Sequence, residues 1–449
     1  MDGRANMSHV MKSIGAASTS FSLLPSRQHG GLGAERVMAE EACLCLVTER
    51  ELYAIKLRNL KKQEDDVLKD RTCLPSPDLE FVLPLPERYL CPFEFDSKIF
   101  MASTGLMDFG FSSKSHHMKD LFPFPIYEFK FEEKHIVVAE SLDPAPLPLH
   151  SSFIANTPGS GDVFFHIDQR RCIKDSPLFY VLESGSRIWK PLISPPSLEK
   201  SVEKMRLSIV VLHNNLFVLS FAGDPYLARF DPIDKSWKVE PSSKNNLSNF
   251  IRDSIMASEE YDEFHVIHYP LISVTIPGWG SSNYTICMTY EEFTVPPKNP
   301  GVNVVAILVN HHNGRIAFYQ RLYMCFEGIQ PVMYGGSRFN VVDLGNGKLC
   351  ATLCGQQLDS TSTLCGKQLD STSSALCVSI FTLSVAKDFA DFAELDSGAP
   401  PMERDFLQVD VHTKNIYNIK DWNACNSVRH TFVWPPTKGG TFQHRTLRA

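Results

Sequence analysis

Between Asn215 and Pro241 the chain falls into short apolar runs cut by turn residues, and each run has the length and period of a strand. Leu216–Phe221 is continuous and rich in branched and aromatic side chains, and the turn residues Gly223-Asp224-Pro225 follow it. Tyr226–Phe230 resumes as an alternation, with Tyr226, Ala228 and Phe230 on one face and Leu227 and Arg229 on the other. Asp231-Pro232-Ile233-Asp234 then breaks the run. Trp237 opens a last short strand and brings a large ring to where neighbouring sheets pack.

The same pattern predicts strands through most of the chain. Ala42–Val47 and Leu52–Leu57 form a first hairpin, Tyr89–Phe95 and Lys98–Ala102 a second around Asp96-Ser97, and Ile126–Phe131 and His135–Ala139 a third. Asp162–Ile167, Phe179–Leu182 and Ile188–Leu192 make a group that closes on Trp189, and Trp237 closes the next group 48 residues later. After a polar stretch at 242–260, expected to be a loop or short helix, Phe264–Ile267, Tyr284–Met288, Val302–Val309 and Ile316–Tyr323 follow. His311-His312-Asn313-Gly314 has the composition of a hairpin turn, which places both histidines in solvent. Phe339–Leu344 and Lys348–Leu353 flank Gly345-Asn346-Gly347, and Leu376–Leu383, Phe406–Val411, Asn415–Ile419 and Thr431–Trp434 complete the series. Short strands at near-regular spacing, with neither βαβ alternation nor a long amphipathic helix, predict an all-β fold: a single β-propeller of six or seven four-stranded blades. An unstructured tail over residues 1–38, a ring over 39–435 and a flexible segment over 436–449 complete the expected organisation.

One explicit repeat interrupts the strands. Thr352–Ser362 reads TLCGQQLDSTS and Thr363–Ser373 reads TLCGKQLDSTS, a tandem duplication. An insertion of odd length inside a paired strand would turn every following side chain to the other face, so the extra copy is expected in a loop or a lengthened hairpin.

The phrase Phe230-Asp231-Pro232 with Trp237 seven residues after the phenylalanine resembles the second half of a kelch repeat, and the 48-residue spacing of Trp189 and Trp237 is close to the kelch period of about 50. Ala222-Gly223 stands where the family usually has two glycines. The chain resembles plant-type kelch-like propeller proteins, many of which carry an F-box ahead of the ring and act as substrate receptors in ubiquitin ligases. No F-box is recognisable in residues 1–37. What the resemblance implies is a ring acting as an adaptor or substrate-recognition module without chemistry of its own. Some propellers are oxidases or glycosidases, so an enzyme acting on a sugar or small metabolite is the alternative.

Composition and motifs narrow the candidates. A net charge of −7 argues against a strongly basic surface for nucleic acid or anionic membrane, and no apolar run reaches the ~18 residues of a membrane span. Twelve cysteines, most inside apolar runs, read as buried thiols in a reducing compartment, either cytoplasm or nucleus. Cys43 and Cys45 share a strand face, but no second pair at a zinc-site spacing accompanies them, so they are expected in the core. His265 and His268 fall on opposite faces of a strand. Gly-x-Ser-x-Gly, His-Glu-x-x-His and P-loop motifs are missing. No catalytic, cofactor or metal residue is therefore assigned. The candidate interaction surface is a loop-rich face holding either the connection with His116-His117 (Gly105–Pro125) or the one with Trp279 (Gly278–Ser282), with a protein as the expected partner.

Overall fold

A computed structural model describes residues 42–445 apart from the connections at 61–78, 88–89, 104–124, 145–152, 157–160, 167–176, 197–206, 221–225, 242–245, 252–263, 268–270, 323–328, 332–337, 358–373, 387–401, 419–427 and 435–442, with a few shorter gaps. The tail expected at 1–38 lies outside these residues. The strands form six antiparallel blades in a propeller ring, fixing the number left open between six and seven.

Blade 1 contains β1 (Cys43–Val47), β2 (Glu51–Lys56) and β3 (Leu79–Pro84). Blade 2 is β4 (Leu90–Phe95), β5 (Lys98–Ser103), β6 (Ile126–Lys130) and β7 (His135–Val138). Blade 3 is β8 (Phe153–Asn156), β9 (Val163–His166), β10 (Phe179–Leu182) and β11 (Lys190–Leu192), and blade 4 is β12 (Leu207–Leu212), β13 (Asn215–Ser220), β14 (Tyr226–Asp231) and β15 (Ser236–Val239). In blade 5 the first strand is split into β16 (Phe264–Ile267) and β17 (Ile272–Val274), both paired to β18 (Tyr284–Val295). After it come β19 (Asn299–Asn310) and β20 (Ile316–Leu322). Blade 6 is built alike: β21 (Ile329–Pro331) and β22 (Arg338–Gly345) both pair with β23 (Lys348–Gln357), next to β24 (Ser374–Val385). β25 (Met402–Glu403) adds to the edge of blade 5, and β26 (Leu407–Asn418) finishes blade 6. β27 (His430–Trp434) returns to pair along the whole of β1, from Cys43 opposite Trp434 to Val47 opposite His430, and supplies the fourth strand of blade 1. Of the segment expected to be a flexible end, β28 (Gln443–Arg445) is described as a strand paired with β8.

Period-two alternation explains how six sheets become one ring. On β1, Cys43, Cys45 and Val47 face blade 2, where Leu90, Ile99, Met101 and Phe129 complete a core. Leu44 and Leu46 face blade 6 and meet Cys350, Leu376, Val378 and Tyr417. The four remaining junctions hold one such core each, between blades 2 and 3, 3 and 4, 4 and 5, and 5 and 6. Every blade is thus covered on both sides, and β1 is buried at all five positions. A fully buried Leu or Val contributes about 1.5–3 kcal/mol, so an open end at blade 1 would expose one complete core.

Tryptophans fill successive junctions as their spacing predicts. Trp189, just ahead of β11, meets Phe93 of blade 2 edge-on at 6.2 Å, and Trp237 of β15 lies 5.3 Å from Phe179 of blade 3. The indole of Trp237 also donates to the Ile193 carbonyl at 2.5 Å. Trp434 stacks on Phe131 at 5.9 Å across the junction of blades 1 and 2.

Several elements differ from the sequence reading. β12 was not among the predicted strands. β18 and β19 run past the predicted Tyr284–Met288 and Val302–Val309, because Glu291 and Glu292 break the apolar run without ending the strand. Phe406–Val411 and Asn415–Ile419 merge into β26, which absorbs an irregularity where its partner passes Ile380 and Phe381. The first duplicated copy begins inside β23, and the chain leaves the pairing after Gln357 and rejoins it at Ser374. The insertion thus enters at the connection of a hairpin and spares the register. Deleting 363–373 shortens that connection from sixteen residues to five. Loop-closure entropy then favours the variant by about 1 kcal/mol, and urea denaturation should show equal or slightly raised stability.

Candidate interaction faces

Because successive strands run antiparallel, connections alternate between the two faces of the ring. First-to-second and third-to-fourth connections open on one face, which carries tight turns such as Asp96-Ser97, with positive φ at both residues as a type I′ turn requires. Second-to-third connections and the passages between blades open on the other, here called the hairpin face.

The turn face is a web of blade-to-blade contacts. Asp96 of blade 2 accepts from the Ser184 hydroxyl at 3.0 Å and the Gly185 amide at 3.3 Å, while Asp162 accepts from the Ser184 amide at 2.9 Å. At the junction of blades 4 and 5, Gly314 adopts φ +69°, and a Cβ there would meet Leu227 Cδ2 at 2.6 Å, so only glycine fits. His311 corrects the expectation of a solvated turn histidine. It is buried, its Nδ1 pairs with Thr285 Oγ1 at 3.2 Å, and its ring stacks on His213 at 4.9 Å. Asn215 donates to its carbonyl at 3.0 Å. Only its packing between two blades, not visible in a turn motif, separates it from His312.

Trp279 lies in the connection between β17 and β18, on the turn face. Its amide donates to the Ile276 carbonyl at 3.2 Å and its side chain is partly buried against the core of blades 5 and 6, so it serves packing as much as any surface. His116 and His117 lie outside the described residues, and the connection holding them leaves β5 and re-enters at β6 on the hairpin face. The two alternative stretches thus belong to connections on opposite sides of the ring.

The hairpin face has a feature the sequence reading missed. β18 and β19 are twelve residues each, about 40 Å at 3.3 Å per residue, against about 20 Å for the six-residue strands of blade 4. With β16 on one side they stand above the ring, and the lengthened β23 and β24 with β21 stand beside them. Tyr290, 1% exposed, anchors the step against Phe339 of blade 6 at 5.2 Å between ring centres.

A charged clasp fixes the base of this extension. Glu291 on β18 is almost wholly buried; Arg321 on β20 donates to it from Nε at 2.7 Å and Nη2 at 3.0 Å, and Asn303 Nδ2 lies 3.4 Å from it. The remaining Arg321 nitrogen Nη1 reaches Glu403 of β25 at 2.6 Å, and the guanidinium lies over the Tyr319 ring. Hydrogen bonding to Glu291 holds the Arg321 guanidinium well above its usual range. Beside it Gln320 accepts from the Phe406 and Leu407 amides at 2.9 and 2.8 Å and donates to the Leu407 carbonyl, tying blade 5 to the start of β26.

Thiols and carboxyls elsewhere are tuned by burial. Cys43 and Cys45 pack in the core between blades 1 and 2, and burial pushes the Cys287 thiol up to about 12, which makes it a poor nucleophile. Glu94 on β4, partly buried, is raised to about 7 by the same desolvation. Among the described residues no group of three or more His, Cys, Asp or Glu is placed to hold a metal ion, and no helix is long and apolar enough to cross a membrane. Among the described residues, large exposed apolar side chains sit one or two to a blade in blades 1 to 5, on outermost strands or beside them, at Phe81, Val138, Ile188, Ile193, Val239 and Met402. Scattered this way around the rim they are ordinary surface. In comparisons with known proteins, no family model and no curated sequence matches this chain.

Proposed function

We propose that this β-propeller is a non-enzymatic interaction scaffold that holds a protein partner on its hairpin face. The observation behind this reading is the paired extension of blades 5 and 6, a rigid platform raised above an otherwise low ring and clasped at its base by Glu291 and Arg321. Loops set on a rigid frame recognise partners without needing chemistry of their own. The tuned groups support it too, since the buried thiols, His311 and Glu291 are each engaged in packing or pairing. The kelch resemblance around Phe230, Asp231 and Trp237 extends the proposal to substrate recognition in a ubiquitin ligase of the plant F-box type. Seven described cysteines, all buried free thiols, favour a reducing compartment, cytoplasm or nucleus.

The test is quantitative affinity capture from extract with three forms of the chain: unmodified, with 293–301 replaced by a two-residue turn, and with Trp279→Ala. The proposal expects a partner with the unmodified chain, at least tenfold depletion when the hairpin is cut, and little change with W279A. Recovery of no stable partner by the unmodified chain overturns the scaffold reading. Equal recovery by all three forms overturns the choice of face.

A further inference from the structure

A polar row crosses the otherwise apolar junction between blade 6 and blade 1, where the ring closes. On blade 6, Asn340 of β22 lies opposite Thr352 of β23, Thr352 opposite Val378 of β24, and Val378 opposite Asn415 of β26. Directly paired residues share a sheet face, and Val378 belongs to the core shared with blade 1, so all four side chains point toward blade 1. Thr413, two residues before Asn415, shares that face. From the other side, Thr431 of β27 lies opposite Leu46, which packs against blade 6, and β27 meets β22.

Thr352 and Thr431 are wholly buried, and Thr413 and Asn415 nearly so. Yet among the described residues nothing hydrogen-bonds to Thr352 Oγ1, Thr431 Oγ1, Thr413 Oγ1, Asn340 Nδ2 or Asn415 Nδ2, all of them shielded atoms. Buried polar side chains of blade 5 are matched instead: His311 pairs with Thr285, Glu291 with Arg321, and Gln320 with the backbone at Phe406 and Leu407. Native proteins match buried polar atoms with ordered water where no protein group reaches them.

We infer that Asn340, Thr352 and Thr431 bind a buried water molecule that bridges blade 6 to the closing strand β27. An internal water typically makes about three hydrogen bonds, and this trio supplies three groups. Asn340 Nδ2 can only donate, while each threonine hydroxyl can donate or accept. The occupant must therefore accept at least one bond and complement two hydroxyls, which water does with two lone pairs and two protons. None of the three side chains carries a charge, so the trio offers nothing to offset the desolvation of an ion. Asn340 and Thr352 are a direct cross-strand pair, with Cβ atoms about 5 Å apart in such pairs, a span that one water bridges. Asn415 lies two strands from Thr352, about 10 Å at the usual strand spacing, so the outer pair Thr413 and Asn415 is not part of this site. The bridge ties β27 to blade 6 by hydrogen bonds as well as by the packing of Val433.

This site goes beyond the scaffold reading and does not depend on it. Thr352→Val and Thr431→Val keep the outline of the side chain and remove the hydroxyl, so urea denaturation of the full-length variants reads the sign of the effect. Each single variant should raise the unfolding equilibrium constant about two- to tenfold, the loss of one hydrogen bond. A dry, unmatched hydroxyl gives the opposite sign, because valine removes a buried polar atom that nothing satisfies. An unchanged or lowered constant for either variant therefore overturns the inference. The two threonines stand on different blades and share one water, so the double variant should raise the constant by clearly less than the product of the single effects. A full product means separate partners and overturns the shared site. A crystal structure of the unmodified chain decides without any variant. Density for one water within hydrogen-bonding distance of both hydroxyls and of the Asn340 amide is expected, and a protein atom there, or no density, overturns the inference.

Discussion

Replacing Arg321 with methionine should destabilise the protein by about 3–5 kcal/mol, because it strands the Glu291 carboxylate inside blade 5. Glu291 is 2% exposed at its side chain and takes two hydrogen bonds from Arg321, at 2.7 and 3.0 Å, with the Asn303 amide 3.4 Å away. A surface ion pair would be worth about 0–1 kcal/mol, so the size of the loss distinguishes a buried clasp from a decorative one. The double variant Arg321→Met with Glu291→Gln removes both charges and should recover most of the lost stability, since a neutral pair carries no stranded carboxylate. Urea denaturation of the two variants beside the unmodified chain reads this directly. A single variant within about 1 kcal/mol of the original would mean that water reaches Glu291. The same substitution should loosen the extension above it, and with it the platform on which the proposed partner sits.

The second large effect is a pH dependence centred on Glu94. Its folded pKa of about 7 lies above the ordinary value of 4.5 because burial disfavours the charged form. Between these values the folded state keeps a proton that the unfolded chain has released, so the stability Glu94 supports is fully present below pH 4.5 and is lost as pH rises through about 7. At 1.36 kcal/mol per unit the loss reaches about 3 kcal/mol above pH 8. Glu240 is raised as well, while Glu80 and Glu183 are lowered by lysines at the surface, so the raw pH profile mixes signs. The difference between the unmodified chain and Glu94→Gln isolates the one group. That variant should be more stable than the original at pH 8, with the advantage shrinking or reversing by pH 5. Parallel profiles would show that Glu94 is solvated in the folded state.

How far the sequence reaches depends on which physical signal each feature leaves. Strand alternation and turn residues leave strong local ones, so the four-strand rhythm, the Asp96-Ser97 and Asn313-Gly314 turns, and the roles of Trp189 and Trp237 are all legible in the sequence. The sequence does not separate six blades from seven because blades 5 and 6 break their first strands in two and lengthen the next two, which blurs the period. The extension itself was hidden by Glu291: a carboxylate in an apolar run reads as the end of a strand unless its cation is known, and Arg321 lies thirty residues away on another strand. His311 failed for a similar reason, since its burial comes from His213 and Thr285 in neighbouring turns and strands. Loop composition pointed to the connections around His116, His117 and Trp279, but only strand direction shows that they open on opposite faces.

The ring stands or falls on the return of β27 to β1, the contact that joins the last blade to the first. Hydrogen exchange on a chain ending at residue 429, compared with the full chain, tests it most directly. In the full chain, amides at 43–47 and 430–434 should share the slowest exchange and open together. In the shortened chain, the loss of Val433 and Phe432 from two junction cores should leave 43–47 exchanging at least a hundredfold faster, with a broadened thermal transition. Undiminished protection at 43–47 in the shortened chain, with an unchanged transition, would contradict a closed ring.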